Sequence, residues 1–194
     1  MTELPRSDPL AAVSPLDGRY ARRTAALSPY ASESGLMRAR VQVEADYLLA
    51  LIDLDAVPVD LTDAESTALR ETYEAFDADD AQLIKELEVD GADGYSATNH
   101  DVKAVEYFLR IRLDEVDAVS DAERLYPWIH FGLTSEDVNN LAHRLLVKPA
   151  VADVLVPELQ ALRDELVDLA HEYSDRSMLA RTHGQPATPT TFGK

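Results

Sequence analysis

The sequence predicts an all-α protein, and three observations carry that reading. Apolar residues recur every three or four positions through most of the chain, capping signatures stand ahead of those runs, and no strand-like alternation of useful length is present. The first 13 residues read as a loose tail, polar and broken by Pro5 and Pro9, without the apolar stretch of a signal peptide. Ser14-Pro15-Leu16-Asp17-Gly18-Arg19-Tyr20 follows as a turn-rich segment. From about Gly35 to Asp53, Met37, Val41, Ala45, Leu48 and Ile52 define one face of a helix. Thr62-Asp63-Ala64-Glu65 has the spacing of a capping box, so a second helix is expected from Asp63 to about Phe76. Asp79 and Asp80 precede a shorter one through Leu87. The acidic side chains between these apolar positions read as a solvated face, because no carboxylate cluster has metal-ligand spacing.

Gly91 to Ala97 reads as a loop, and it ends in Thr98-Asn99-His100-Asp101 ahead of the apolar positions Val102, Val105, Leu109 and Leu113. Free backbone N–H groups at such a helix start favour an anion, to which Asn99 and His100 can add donors. Equally, Thr98 or Asn99 can be a simple cap and Asp101 a favourable first-turn charge. Tyr126-Pro127 breaks the pattern before an apolar stretch carrying His130, which by itself reads as a core histidine. Thr134-Ser135-Glu136-Asp137 then opens another helix, its hydroxyls suited to capping or to holding a carboxylate. That helix carries Val138, Leu141 and Leu145 and is expected to be interrupted near Pro149 or Pro157. Leu155, Leu159, Leu162, Leu166, Leu169 and Tyr173 alternate steps of four and three, a heptad seam for packing against other helices.

Arg181-Thr182-His183-Gly184-Gln185-Pro186-Ala187-Thr188-Pro189 places a histidine in a polar turn. Thr188 followed by Pro189 reads as an N-cap and first helical position, so a new helix is expected there. Histidine titrates near neutral pH and suits proton transfer, although a lone turn histidine can be no more than a capping residue. Arg19 and Tyr20 offer a similar choice. The guanidinium can grip a phosphate or carboxylate in two-pronged fashion while the phenol donates a hydrogen bond, or the pair can be a surface arginine beside a half-buried tyrosine.

Composition narrows the function classes. With 36 acidic against 18 basic residues the formal net charge is -18, a field that disfavours nucleic acid and anionic membranes. Dispersed acidity with arginine preferred over lysine fits either adaptation to high salt or an acidic mesophilic protein. No cysteine is present, which fits a cytoplasmic setting, and no apolar run is long enough to cross a bilayer. There is no nucleotide-binding glycine loop and no internal repeat.

Four segments taken together, Ser14 to Tyr20, Thr98 to Leu109, His130 to Asp137 and Arg181 to Thr188, closely resemble the adenylosuccinate lyase family within the fumarase and aspartase superfamily. The resemblance runs from about Ser14 to Lys194 and implies an N-terminal helical domain over 1–125 and the start of a long-helix bundle over 126–194. It implies β-elimination of fumarate from adenylosuccinate, leaving AMP, and from the succinyl-aminoimidazole carboxamide ribotide of purine synthesis, with no metal or organic cofactor. Carried over, His183 is the general acid on the leaving nitrogen and His100, flanked by Asn99 and Asp101, helps to hold the substrate. Arg19 and Tyr20 fall in the nucleotide phosphate site, and Thr134 and Ser135 supply donors to the succinyl carboxylates. His130, Thr182 and Gln185 are supporting candidates. Family subunits are more than twice this long and assemble as homotetramers whose sites draw on three subunits, with the general-base serine on a mobile loop beyond the equivalent of Lys194. The 194 residues alone are therefore expected to lack activity and to leave the heptad seam partly unpaired. A non-catalytic helical interaction module and a sister lyase acting on another succinyl compound are the alternatives.

Overall fold

The computed structural model describes residues 9–194, so most of the expected tail lies outside the described residues. The chain divides into two compact units, one ending at Pro149 and the other spanning Ala150–Lys194.

In the first unit, short helical turns at Ala21–Thr24 and Ser28–Ala31 lead into the long helix α1, Glu33–Asp53. Ser32 caps α1 by accepting from the Gly35 N–H. Helix α2, Asp63–Glu74, begins at the expected capping box. The Thr62 hydroxyl accepts from the Glu65 N–H at 3.2 Å, and the Glu65 carboxylate accepts from the Thr62 N–H at 2.8 Å. Helix α3, Ala78–Val89, carries a second box built on Asp77 and Asp80. A two-residue ladder of β1, Gly91–Ala92, and β2, Tyr95–Ser96, lies within the expected loop and precedes α4, Asp101–Glu115. Gly91 has φ +88°, and a Cβ there would sit 2.6 Å from the Tyr95 carbonyl oxygen, so glycine is required. Helix α5, Ser135–Pro149, closes the unit.

The main core lies between α1, α2, α3 and α4. Val41, Leu48, Leu69, Ile84, Leu87, Val105, Phe108, Leu109 and Leu113 are essentially inaccessible. Each such large side chain contributes ~1.5–3 kcal/mol of burial free energy relative to exposure. A second cluster joins α1, α4 and α5 through Ala39, Val43, Val102, Val138, Ala142 and Leu146. Because α5 shares this core, the first compact unit runs on to Pro149.

Two expectations need correction here. Glu44, Glu65 and Glu106 are not on a solvated face but buried, at 0%, 5% and 6% exposure. Glu65 is held by the Arg124 guanidinium and Glu106 by the Lys103 ammonium, while Glu44 contacts the His130 ring. Burial of a charge is tolerable only with such a partner.

The second correction concerns the other unit. It begins with a π-helical stretch, Ala150–Leu155, at the place where Pro149 and Pro157 predicted an interruption, and continues as α6, Val156–Glu172. Beyond α6 no further helix begins at Pro189. Instead β3, Ser177–Thr182, and β4, Gln185–Thr191, form an antiparallel hairpin with an irregular register between Leu179 and Arg181. His183 and Gly184, with φ of +51° and +73°, supply the two left-handed residues of a tight primed turn. Phe192 folds back on Tyr173 at 5.3 Å between ring centres, and the Phe192 and Gly193 N–H groups donate to the Arg176 and Tyr173 carbonyls. The heptad leucines of α6 stay exposed, from Leu169 at 40% to Leu166 at 58%.

Candidate active site

Two helix starts in the first unit carry candidate residues from separate parts of the sequence. The N-cap of α4 is His100 itself, and not Thr98 or Asn99: its Nδ1 accepts from the Lys103 N–H at 3.2 Å. Accepting at Nδ1 places the proton of a neutral imidazole on Nε2. Nδ1 also lies 3.7 Å from Asp101 Oδ1, an ion pair only when the ring is protonated. Thr98 braces the turn by donating its hydroxyl to the His100 carbonyl and accepting from the His100 N–H, while Asn99 adopts φ +48°.

At the start of α5, Ser135 Oγ lies 3.4 Å from His100 Nε2. Thus the structure brings together two candidates 35 residues apart in sequence. Thr134 donates both its N–H and its hydroxyl to Asp137 Oδ2, at 2.8 and 2.9 Å. These two bonds, the backbone one first, hold the Asp137 carboxyl below its usual value.

Behind both helix starts stands α1. Arg40, 7% exposed, reaches Asp101 Oδ2 with Nη2 at 2.7 Å and Asn139 Oδ1 with Nε at 2.9 Å. Partial burial raises the Asp101 carboxyl, but the Arg40 charge and the Val102 N–H outweigh it and leave the group below its ordinary value. One turn further along α1, Glu44 Oε1 lies 2.5 Å from His130 Nδ1. Burial pushes the Glu44 carboxyl up despite that contact, and Glu44 Oε2 has no hydrogen-bond partner. His130 takes φ +60°, and the hydroxyl of Tyr47 donates to the Phe131 carbonyl at 3.0 Å. His130 is thus a half-buried histidine whose ring is satisfied by the buried Glu44 carboxyl, as a core histidine requires.

Arg19 and Tyr20 form an exposed group of their own, with the Arg19 and Arg23 guanidinium carbons 5.6 and 5.8 Å from the centre of the Tyr20 ring. Thr182, His183 and Gln185 lie at the hairpin tip of the second unit, where Thr182 and Gln185 are paired and the His183 ring is exposed. Sequence reasoning missed Arg40, Glu44, Tyr47 and Asn139. The signal was present for two of them: Arg40 and Glu44 stand three and seven residues after Met37, inside the apolar stripe of α1.

His100 Nε2 and Ser135 Oγ meet at the two helix starts, where N–H and O–H groups can hold an anionic group. A profile of the lyase family matches residues 18–194, nearly the whole chain. The chain belongs to this lyase family. Among curated relatives, the adenylosuccinate lyase of Legionella pneumophila (strain Corby) is 42% identical over 187 residues, that of Haemophilus influenzae 46% over 189, and that of Escherichia coli K12 44% over 188. Each alignment covers 95% of this chain and 39% of the relative, so the chain spans about two-fifths of their length. The crystal structure of a fumarate lyase from Mesorhizobium sp. BNC1 superposes with a TM-score of 0.63 at 20% identity, over 86% of this chain and 34% of that one. This likeness shows a shared helical fold. Among the described residues, no helix is long and apolar enough to cross a membrane.

Proposed function

We propose that this chain supplies part of the active site of an adenylosuccinate lyase, a carbon–nitrogen lyase of purine nucleotide synthesis. The observation that carries the reading is the approach of His100 Nε2 to Ser135 Oγ at two helix starts, in a chain 42–46% identical to proteins of that name. The reaction removes a proton from the carbon beside a succinyl carboxylate, and that carboxylate stabilises the electron pair left behind. As the carbon–nitrogen bond breaks, this pair becomes the double bond of fumarate, and the departing nitrogen keeps the electrons of the broken bond and takes up a proton.

In this reading Thr134 and Ser135 donate to the succinyl carboxylates and His100 holds the substrate beside them, with Asn99 and Asp101 shaping that turn. Arg19 and Tyr20 bind the nucleotide phosphate, and His183 is the acid that protonates the leaving nitrogen, supported by Thr182 and Gln185. The base is assigned to sequence outside these residues, which leaves the 194 residues inactive alone. The substrates are adenylosuccinate and succinyl-aminoimidazole carboxamide ribotide, the working form a cytoplasmic homotetramer, and the domains 1–125 and 126–194. Near contacts to a local cation such as Arg19 outweigh the screened field of the distant acidic residues, which reconciles an anionic substrate with a chain of net charge -18.

The test is fumarate release by a chimera that continues this chain with the remaining sequence of the Escherichia coli relative. Release from adenylosuccinate supports the reading. Release only from another succinyl compound would make the protein a sister lyase. The exposed leucine face of α6 favours a second reading, a non-catalytic helical module. Absence of AMP binding to the chimera, together with no turnover, would support that module.

A further inference from the structure

We propose that Arg40 and Glu44, one helical turn apart on α1, are positioning residues that jointly set the placement of His100, Ser135 and His130. The proposal rests on the lyase reading for its consequence in turnover, but its structural part stands separately.

The argument begins with the fork of Arg40. Its Nη2 holds Asp101, the residue after His100, at 2.7 Å, and its Nε holds Asn139, one turn beyond Ser135, at 2.9 Å. A single buried cation thus ties the first turn of α4 to the second turn of α5. The 3.4 Å approach of His100 Nε2 to Ser135 Oγ spans that same gap and lies at the long end of a hydrogen bond. A relative shift of the two helix starts by ~1 Å abolishes it, and misplacement on that scale costs an enzyme ~10²-fold. Arginine suits this task because its planar guanidinium fixes the angle between its two partners, which a lysine ammonium does not.

Glu44 acts on the third group. His130 holds a left-handed backbone conformation, uncommon outside glycine, and Gly132 two residues later is also left-handed. The loop over 130–134 therefore doubles back sharply before it delivers Thr134 and Ser135. Glu44 pins its first residue through Nδ1, and Tyr47, three residues further along α1, pins the next through the Phe131 carbonyl. Positions 40, 44 and 47 share one helix face, so a rigid, buried rod grips all three pieces at once.

The competing explanation is that these pairs only stabilise the fold. Two measurements separate the explanations. In the 194-residue chain, the His100 imidazole resonances are compared between wild type and Asn139→Ala, which frees α5 while leaving the Arg40–Asp101 pair intact. Positioning predicts a clear displacement of the His100 signals, and unchanged signals overturn the proposal. In the chimera, Asn139→Ala and Glu44→Gln are each expected to lower kcat/KM by ~10-fold or more. Arg40→Gln is expected to do the same, with Arg40→Lys restoring thermal stability more fully than turnover. Values within twofold of wild type for all of these, or an Arg40→Lys variant that recovers turnover and stability in parallel, overturn it. If the wild-type chimera itself releases no fumarate, the lyase reading fails, and the resonance comparison still decides the positioning role.

Discussion

His183 illustrates how a backbone conformation alters the design of a test. With φ +51° in a two-residue turn, its replacement by alanine mixes loss of an imidazole with turn strain, whereas asparagine tolerates the left-handed region. In the chimera, His183→Asn is expected to lower turnover by ~10²-fold while the isolated chain keeps its circular dichroism and melting temperature. Near-normal turnover removes His183 from the acid role. Asp101 supports a prediction of a different kind. Its folded carboxyl lies below the ordinary value because Arg40 and the Val102 N–H outweigh burial. The stability it contributes is present above the unfolded carboxylate value and is lost as pH falls through the depressed folded one. Glu65, depressed by the Thr62 N–H and by Arg124, has the same sign, whereas Glu44, raised by burial, has the opposite one and gains stability on acidification. Urea unfolding of Asp101→Asn should therefore show lower stability than wild type at neutral pH and a shallower loss between about pH 5 and pH 2. An acid limb as steep as that of wild type would show that Asp101 is not part of it.

At the scale of elements, helices buried on one side were legible because a 3.6-residue period leaves its mark on every turn. The apolar positions of α1 and α4 and the Thr62 capping box were found where the sequence placed them. The β3–β4 hairpin was not legible. Almost all of its residues are exposed, so burial imposes no alternation, and its turn uses His-Gly where Asn-Gly or Asp-Gly is the familiar signal. Thr188-Pro189 imitates a helix start, but both lie in β4, whose prolines lack the N–H that an interior strand needs. Buried Arg40 and Glu44 escaped for a related reason: a charge in an apolar stripe resembles a break in the stripe until its partners on α4, α5 and the 130–134 loop are known. The hairpin's turn is testable through Gly184, whose φ of +73° disfavours a branched side chain although no atom crowds the site. Gly184→Val should destabilise the second unit's hairpin by ~1–2 kcal/mol, read as faster amide exchange across β3 and β4. Unchanged protection would mean that the turn does not set the register.

The whole molecule is governed by two surface properties, an apolar strip and an excess of negative charge. Leu159, Leu162 and Leu166 on α6 are each more than half exposed, and packing against further helices would cover them. Sedimentation should therefore show concentration-dependent association of the chain that Leu162→Glu with Leu166→Glu abolishes; a monomer at every concentration in both proteins counts against that use of the face. Charge acts against the same assembly. A net charge of -18 per 194 residues repels itself within one chain and again between chains, and it is what remains after all 18 basic residues, including Arg112 paired with Asp80 and Arg124 with Glu65, are set against the 36 acidic ones. Salt shortens the reach of that repulsion from ~10 Å at 0.1 M to ~3 Å at 1 M, while the buried pairs, shielded from counterions, are weakened far less. It also strengthens apolar burial when the anion is excluded from the surface, so the two effects must be separated by the choice of salt. Potassium chloride, which screens without strongly favouring burial, should raise both the melting temperature and the associated fraction between low and molar concentration. A rise only in sulfate would assign the effect to apolar burial, and a flat response in both would show that the acidic surface is no adaptation to salt.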